Sequence, residues 1–103
     1  MNFKGSLPTL ILQVLSAGPN HGYRIAQQIK QTSKGVLDFR EGTLYPALHD
    51  LEHKGAVESY ERIENGRTRR YYRLTQEGHH SLAQGRAEWS RFAQAIAQIL
   101  KEA

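Results

Sequence analysis

The stretch Phe39-Arg40-Glu41-Gly42-Thr43-Leu44-Tyr45-Pro46-Ala47-Leu48-His49-Asp50-Leu51-Glu52 stops at Gly55, and a run ending Arg67-Thr68-Arg69-Arg70-Tyr71-Tyr72-Arg73-Leu74-Thr75 follows it. Leu44, Leu48 and Leu51 recur at helical spacing, so residues 41–54 are expected to form an amphipathic helix. Its other side then carries Thr43, Tyr45, Pro46, His49 and Asp50 toward solvent. Gly55 supplies the residue that most easily leaves the helix in a left-handed turn. Pro46, which has no backbone N–H, is expected near the first turn.

Val57–Ile63 and Thr68–Leu74 read as strands joined at Asn65-Gly66, a pair suited to the two-residue turn of a hairpin. That turn fixes a register in which Glu64 faces Arg67, Glu61 faces Arg70, Glu58 faces Arg73, Val57 meets Leu74 and Tyr60 meets Tyr71. Opposite-charge and aromatic cross-strand pairs of this kind contribute about 0.2–1 kcal/mol each. The same register sets Arg62 against Arg69, a like-charge pair that a phosphate lying between them would relieve. Arg62 and Arg69 are thus the first choice for gripping a nucleic-acid backbone, ahead of arginines partly neutralised by a glutamate. Arg67 and Arg70 complete the cationic patch, and Arg73, beside Leu74, reads as structural.

Working outward, Leu7, Leu10, Ile11, Val14 and Leu15 mark a core helix over 6–17, with Pro8 in its first turn. A second helix runs from about His21 to Thr32, with Tyr23, Ala26 and Ile29 on one face, and Lys34-Gly35 stops it. Val36–Phe39 reads as a short extended piece. After the hairpin, Thr75 suits an N-cap and Glu77 suits the positive end of a helix dipole. The final helix carries Leu82, Trp89, Phe92, Ala93, Ile96, Ile99 and Leu100.

The order helix, helix, helix, hairpin, helix describes a mainly α chain with a small β-hairpin. An amphipathic third helix followed by an arginine-rich hairpin is the winged helix-turn-helix arrangement, in which the helix enters the major groove and the hairpin holds flanking backbone. Residues 1–75 are expected to form that DNA-binding domain and residues 76–103 a C-terminal dimerisation helix.

Bulk properties agree. At 103 residues the chain fits one domain, and 39% hydrophobic with 23% charged residues is ordinary for a soluble protein. The net charge of +4 favours a polyanionic partner, and its local concentration says more: five arginines (Arg62, Arg67, Arg69, Arg70 and Arg73) fall in one hairpin. No apolar run is long enough to span a bilayer, and Met1–Gly5 does not read as a cleavable export signal. The sequence has no cysteine, so disulfides and thiolate metal sites are excluded, which fits a cytoplasmic protein.

The chain resembles the PadR family of bacterial transcription regulators. The resemblance rests on Pro19-Asn20-His21-Gly22-Tyr23, on Gly42-Thr43-Leu44-Tyr45-Pro46-Ala47-Leu48, and on Tyr71-Tyr72-Arg73-Leu74-Thr75 with Gly78. It implies a homodimeric winged-helix repressor that binds double-stranded DNA at a near-palindromic operator and is released by a small molecule. One helix after the wing is similar to the short PadR subfamily, in which that helix builds the dimer. The wing tip Glu64-Asn65-Gly66-Arg67 is tighter than the glycine-rich loops common in the family.

The expected DNA contacts are Thr43, Tyr45, Pro46, His49, Arg62, Arg67, Arg69 and Arg70. Tyr45 stands out, because an exposed aromatic near a helix start can meet a thymine methyl or a phosphate. Leu82, Trp89, Ala93, Ile96 and Leu100 are expected to form the dimer interface, since one small core cannot cover that stripe. Trp89 and Phe92 are also candidates for the wall of an effector pocket that takes a flat aromatic molecule, and the resemblance implies that such an effector is phenolic or drug-like.

Two other classes compete with this reading. Winged helices also serve as protein-docking modules. His49 with His53, at i and i+4, and His79 with His80 raise metal-responsive regulation, but the spacing offers no third ligand. No metal site or cofactor is therefore expected. Nor is enzymatic activity, because no phosphate-binding glycine loop, His-Glu-x-x-His run or nucleophile elbow occurs.

Overall fold

The computed structural model describes residues 3–101, with side chains from Gly5. Met1, Asn2, Glu102 and Ala103, which the expected domain spans include, lie outside the described residues. The elements are α1 (Phe3–Leu15), β1 (Asn20–His21), α2 (Gly22–Thr32), α3 (Glu41–His53), β2 (Val57–Glu64), β3 (Arg67–Leu74) and α4 (Gln76–Lys101). This is the expected mainly helical architecture with a small antiparallel sheet and a long last helix. No described helix is long and apolar enough to cross a membrane.

Leu7, Ile11 and Leu12 of α1, Ile25 of α2, and Leu44 and Leu48 of α3 form the centre of the core, each almost completely removed from water. Truncating one such leucine to alanine costs about 2–5 kcal/mol. Tyr72 and Val57 bring the hairpin into this core, and Leu82 brings α4 into it. At 7% exposure, Leu82 packs into the core of this chain, which leaves almost none of it for the dimer interface expected of it.

The expected hairpin register holds along its whole length, from Val57 opposite Leu74 to Glu64 opposite Arg67. Asn65 (φ 51°) and Gly66 (φ 76°) both adopt the left-handed conformation that a type I′ turn demands. The sheet also has a third member: Asn20 pairs with Tyr72 and His21 with Tyr71, giving the order β1-β3-β2. Two residues leave no periodicity to read, so this strand was absent from the expectation.

Other differences are local. The first helix begins at Phe3 and ends at Leu15, so Pro8 lies beyond the first turn. Residues 36–40 form no strand; Leu37 and Phe39 pack against the core from an irregular connection. Thr75 caps α4 as expected, its hydroxyl accepting the Gly78 N–H (3.0 Å) and donating to the Gly55 carbonyl (2.6 Å).

That cap brings α4 so close to β2 that a Cβ on Gly78 would lie 2.0 Å from the Ala56 carbonyl oxygen. Backbone cannot give way there. Gly78→Ala should therefore lower stability by about 2 kcal/mol or more, seen as a Tm fall of about 10 °C. Gly42, also helical, has open space around it, and Gly42→Ala should stabilise by about 0.5 kcal/mol. Equal effects of the two substitutions in thermal unfolding would contradict the packing described.

Candidate nucleic-acid interface

Helix α3 buries Leu44, Leu48 and Leu51, leaving Gly42, Pro46, His49, Asp50 and His53 exposed. Pro46 sits beyond the first turn and has no N–H to give the Gly42 carbonyl, so the outward side of this helix is short of one internal bond. Asp50 is tied to Lys54 at 2.9 Å, a surface pair of small energetic weight.

Two of the residues expected to face solvent do not do so fully. Thr43 and Tyr45 are half-buried. The Tyr45 ring lies against the start of α2, where a Cβ on Gly22 would come within 2.7 Å of the phenol. An alanine at position 22 would collide with it. Tyr45 is thus not an unpartnered aromatic: it braces α3 on α2 and has only part of its surface free for a ligand.

The wing has two unlike faces. On one, Arg73 bonds Glu58 at 2.8 Å and lies 5.2 Å over the Tyr60 ring, and Tyr60 stacks on Tyr71 at 5.8 Å. Arg62 lies 4.8 Å over Tyr71. The Tyr71 hydroxyl donates to Glu64 at 2.5 Å, and Arg69 reaches the same carboxylate at 3.5 Å. The Tyr71 hydrogen bond, helped by Arg62 and Arg69, holds the Glu64 carboxyl below its ordinary range. The same bond pushes the Tyr71 phenol up.

Glu64 therefore settles the Arg62–Arg69 repulsion from within, and no phosphate is required for it. The premise of the expected ranking changes for Arg69: Glu64 bonds it rather than Arg67 directly opposite, and among the described residues neither Arg62 nor Arg67 has an ion-pair partner.

On the other face Arg70 donates to Ser59 at 3.0 Å and lies 3.8 Å from Glu61, while Ser59 donates to Glu52 of α3 at 2.5 Å. This chain of bonds ties the wing to α3, and it commits Arg70 partly to structure. Ile63, beside the turn, is 79% exposed.

Between these elements lies a cleft of about 400 Å³. Tyr45 and His49 of α3 line one side, Arg69, Arg70 and Tyr72 of β3 another, and His21, Gly22 and Tyr23 the third. None of the lining residues is acidic. His21 is the N-cap of α2, its Nδ1 accepting the Arg24 N–H at 3.4 Å, and its ring meets Tyr71 edge-on at 5.5 Å. Burial, then Arg69 and Arg24, hold the His21 imidazole below its ordinary value, against the opposing pull of Glu64. His21 and Tyr23 were missing from the expected contacts because β1, which sets His21 against Tyr71 and brings the start of α2 to the cleft, leaves no pattern in the sequence. The His-Gly-Tyr run beside the proline was the only available signal.

At the far end of the molecule α4 exposes Trp89, Phe92, Ile96, Ile99 and Leu100, with Ala93 half-buried among them. Trp89 and Phe92 rings lie 5.7 Å apart. Both line a groove of about 970 Å³ with Leu10 of α1 and Val36 and Leu37 of the α2–α3 connection. Among the described residues no group of three or more His, Asp or Glu side chains is arranged to hold a metal ion, so His49–His53 and His79–His80 gain no third ligand.

Residues 11–84 match the Transcriptional regulator PadR-like family. A transcriptional regulator of Mycobacterium tuberculosis is 36% identical over 76 residues, covering 74% of this chain and 68% of the relative. A solved transcriptional regulator from Clostridium thermocellum superposes with a TM-score of 0.85 at 34% identity, covering 91% of this chain and 92% of that one. A solved PadR family regulator from Clostridium difficile gives 0.80 at 33% identity, covering 93% and 99%. With α3 and the wing joined at one cleft, this chain belongs to the PadR-like transcriptional regulators, a family of DNA-binding proteins and not of enzymes.

Proposed function

We propose that the chain is a homodimeric, sequence-specific repressor that acts in the cytoplasm and is released from a near-palindromic operator by a small aromatic or drug-like effector. The observation that carries the DNA-binding part is the shared cleft: Tyr45 and His49 of α3 and Arg69 and Arg70 of the wing line one cleft that no acidic side chain lines. Helix α3 enters the major groove with Pro46, His49 and the free parts of Thr43 and Tyr45 nearest the bases. Arg67 grips flanking backbone first, having no carboxylate to leave, and Arg62, Arg69 and Arg70 reach phosphate by exchanging internal partners.

Residues 1–75 read the DNA and residues 76–103 pair the subunits, with the first turns of α4 serving the core. Trp89, Ala93, Ile96 and Leu100, extended by Phe92 and Ile99, are the surface a second copy covers. Residues at these spacings form a continuous helical stripe. The operator's two half-sites then match two reading heads held at a fixed distance. An effector seated against Trp89 and Phe92 changes that distance or the rotation between heads, and so disfavours the DNA-bound dimer.

Three measurements test these assignments. Arg67→Ala should weaken binding to operator and random DNA alike and flatten the dependence of log K on log salt by about 0.9 for each phosphate that is no longer neutralised. An unchanged slope would favour a protein-docking role for the wing. In size-exclusion chromatography with light scattering, the wild type should run at twice the 11.7 kDa chain mass and Ile96→Glu at the chain mass. A wild-type monomer would remove the dimer. Finally, a planar aromatic ligand that releases DNA should quench the fluorescence of Trp89, the sole tryptophan. Release without quenching would move the effector site elsewhere.

A further inference from the structure

A duplex read by α3 in one groove and by the wing beside it must pass a sugar–phosphate strand between the two. The cleft bordered by His21, Tyr23, Tyr45, His49, Arg69 and Arg70 occupies that position. We propose that this cleft holds a backbone phosphate of that strand, and that His21 takes up a proton as it binds. The inference rests on the DNA-binding reading and adds a ligand, a site and a proton linkage to it.

The charges around each histidine come from every element packed there. Arg24 and Tyr23 approach from α2, Glu64 from β2, and Arg69 and Tyr71 from β3. Tyr45 lies 6.5 Å from His49 on α3, and Arg69 and Arg70 face it across the cleft. No acid lines the cleft itself. Glu64 and Glu61 pair with its arginines from outside, Glu64 also holding Tyr71, while Glu52 bonds Ser59 and Asp50 bonds Lys54. At His21, burial and Arg69 with Arg24 outweigh the opposing pull of Glu64, so further positive charge is disfavoured there.

A phosphodiester carries one negative charge across the whole working pH range and only accepts hydrogen bonds. A neutral imidazole offers it one N–H, whereas an imidazolium offers two and a charge. An anion within hydrogen-bond reach thus raises a histidine's pKa. For His21 the cost of protonation is the bond from the Arg24 N–H, which at 3.4 Å is long and weak. The sign follows: the free protein holds His21 depressed, the complex favours the protonated form, and affinity rises as pH falls through the interval between the two values.

Phosphate contacts are independent of sequence, so the test needs no operator. Fluorescence anisotropy on a short mixed-sequence duplex at fixed ionic strength should show wild-type affinity rising about fivefold or more from about pH 8 to about pH 6. His21→Asn should lose most of that rise, because asparagine keeps the α2 cap but cannot take up a proton. His79→Gln with His80→Gln, outside the residues that line the cleft, should retain the wild-type rise. Calorimetry in two buffers of different ionisation enthalpy should report proton uptake for the wild type and clearly less for His21→Asn. A flat wild-type profile, or a full rise in His21→Asn, would overturn the proton linkage while leaving DNA binding intact. Failure to bind the duplex at either pH would instead overturn the DNA-binding reading beneath it.

Discussion

The contact between Tyr45 and Gly22 fixes the geometry on which the reading head depends. The phenol fills the space that any side chain at position 22 would need, so α3 can lie close against the first residue of α2. Immediately before Gly22, the backbone of Asn20 and His21 pairs with Tyr72 and Tyr71 of the wing. One short seam therefore joins the recognition helix, its supporting helix and the hairpin. A two-stranded hairpin alone is marginal in water. Here it gains a third strand, the buried Tyr72 ring, and the Glu52–Ser59–Arg70 chain of hydrogen bonds that returns to α3.

Charge on the wing is arranged as well as abundant. Arg73, Tyr60, Tyr71, Arg62, Glu64 and Arg69 alternate cations, rings and a carboxylate on one face, which lets several arginines lie close together without net repulsion. Contacts of this exposed kind are individually weak, about 1 kcal/mol or less. Their effect is to hold side chains in place, so that less rotamer freedom is lost when DNA arrives. Arg67 at the turn stands outside this arrangement and keeps its full charge for a ligand. Helix α4 is divided in a similar way: Gly78 and Leu82 belong to the core, whereas the large apolar side chains from Trp89 to Leu100 stay exposed.

Much of this was legible in the sequence because strong local signals agreed with one another. Leucines at helical spacing, Gly55, Asn65-Gly66 and Thr75 each specify one backbone choice, and the structure has the helix, stop, turn and cap they call for. The hairpin register followed from the turn alone. What escaped depends on third partners. Glu64 chooses Arg69 over Arg67 because Tyr71 already fixes its carboxylate, a fact about three residues rather than a facing pair. Tyr45 looked exposed on a helical wheel, yet Gly22 lies beyond that wheel. Leu82 shares the stripe of the last helix but sits close enough to its start to reach the core, and a two-residue strand such as β1 has no pattern to detect.

The central claim is that α3, the wing and the seam between them form one DNA-facing surface while the exposed stripe of α4 faces elsewhere. Amide chemical shifts of the labelled protein, followed as duplex DNA is added, test it directly. The account predicts changes concentrated in residues 20–23, in the first half of α3 and around Arg67–Arg70, with little change from Trp89 to Leu100. Changes centred on the Trp89–Leu100 stripe, with α3 and the wing unmoved, would contradict it.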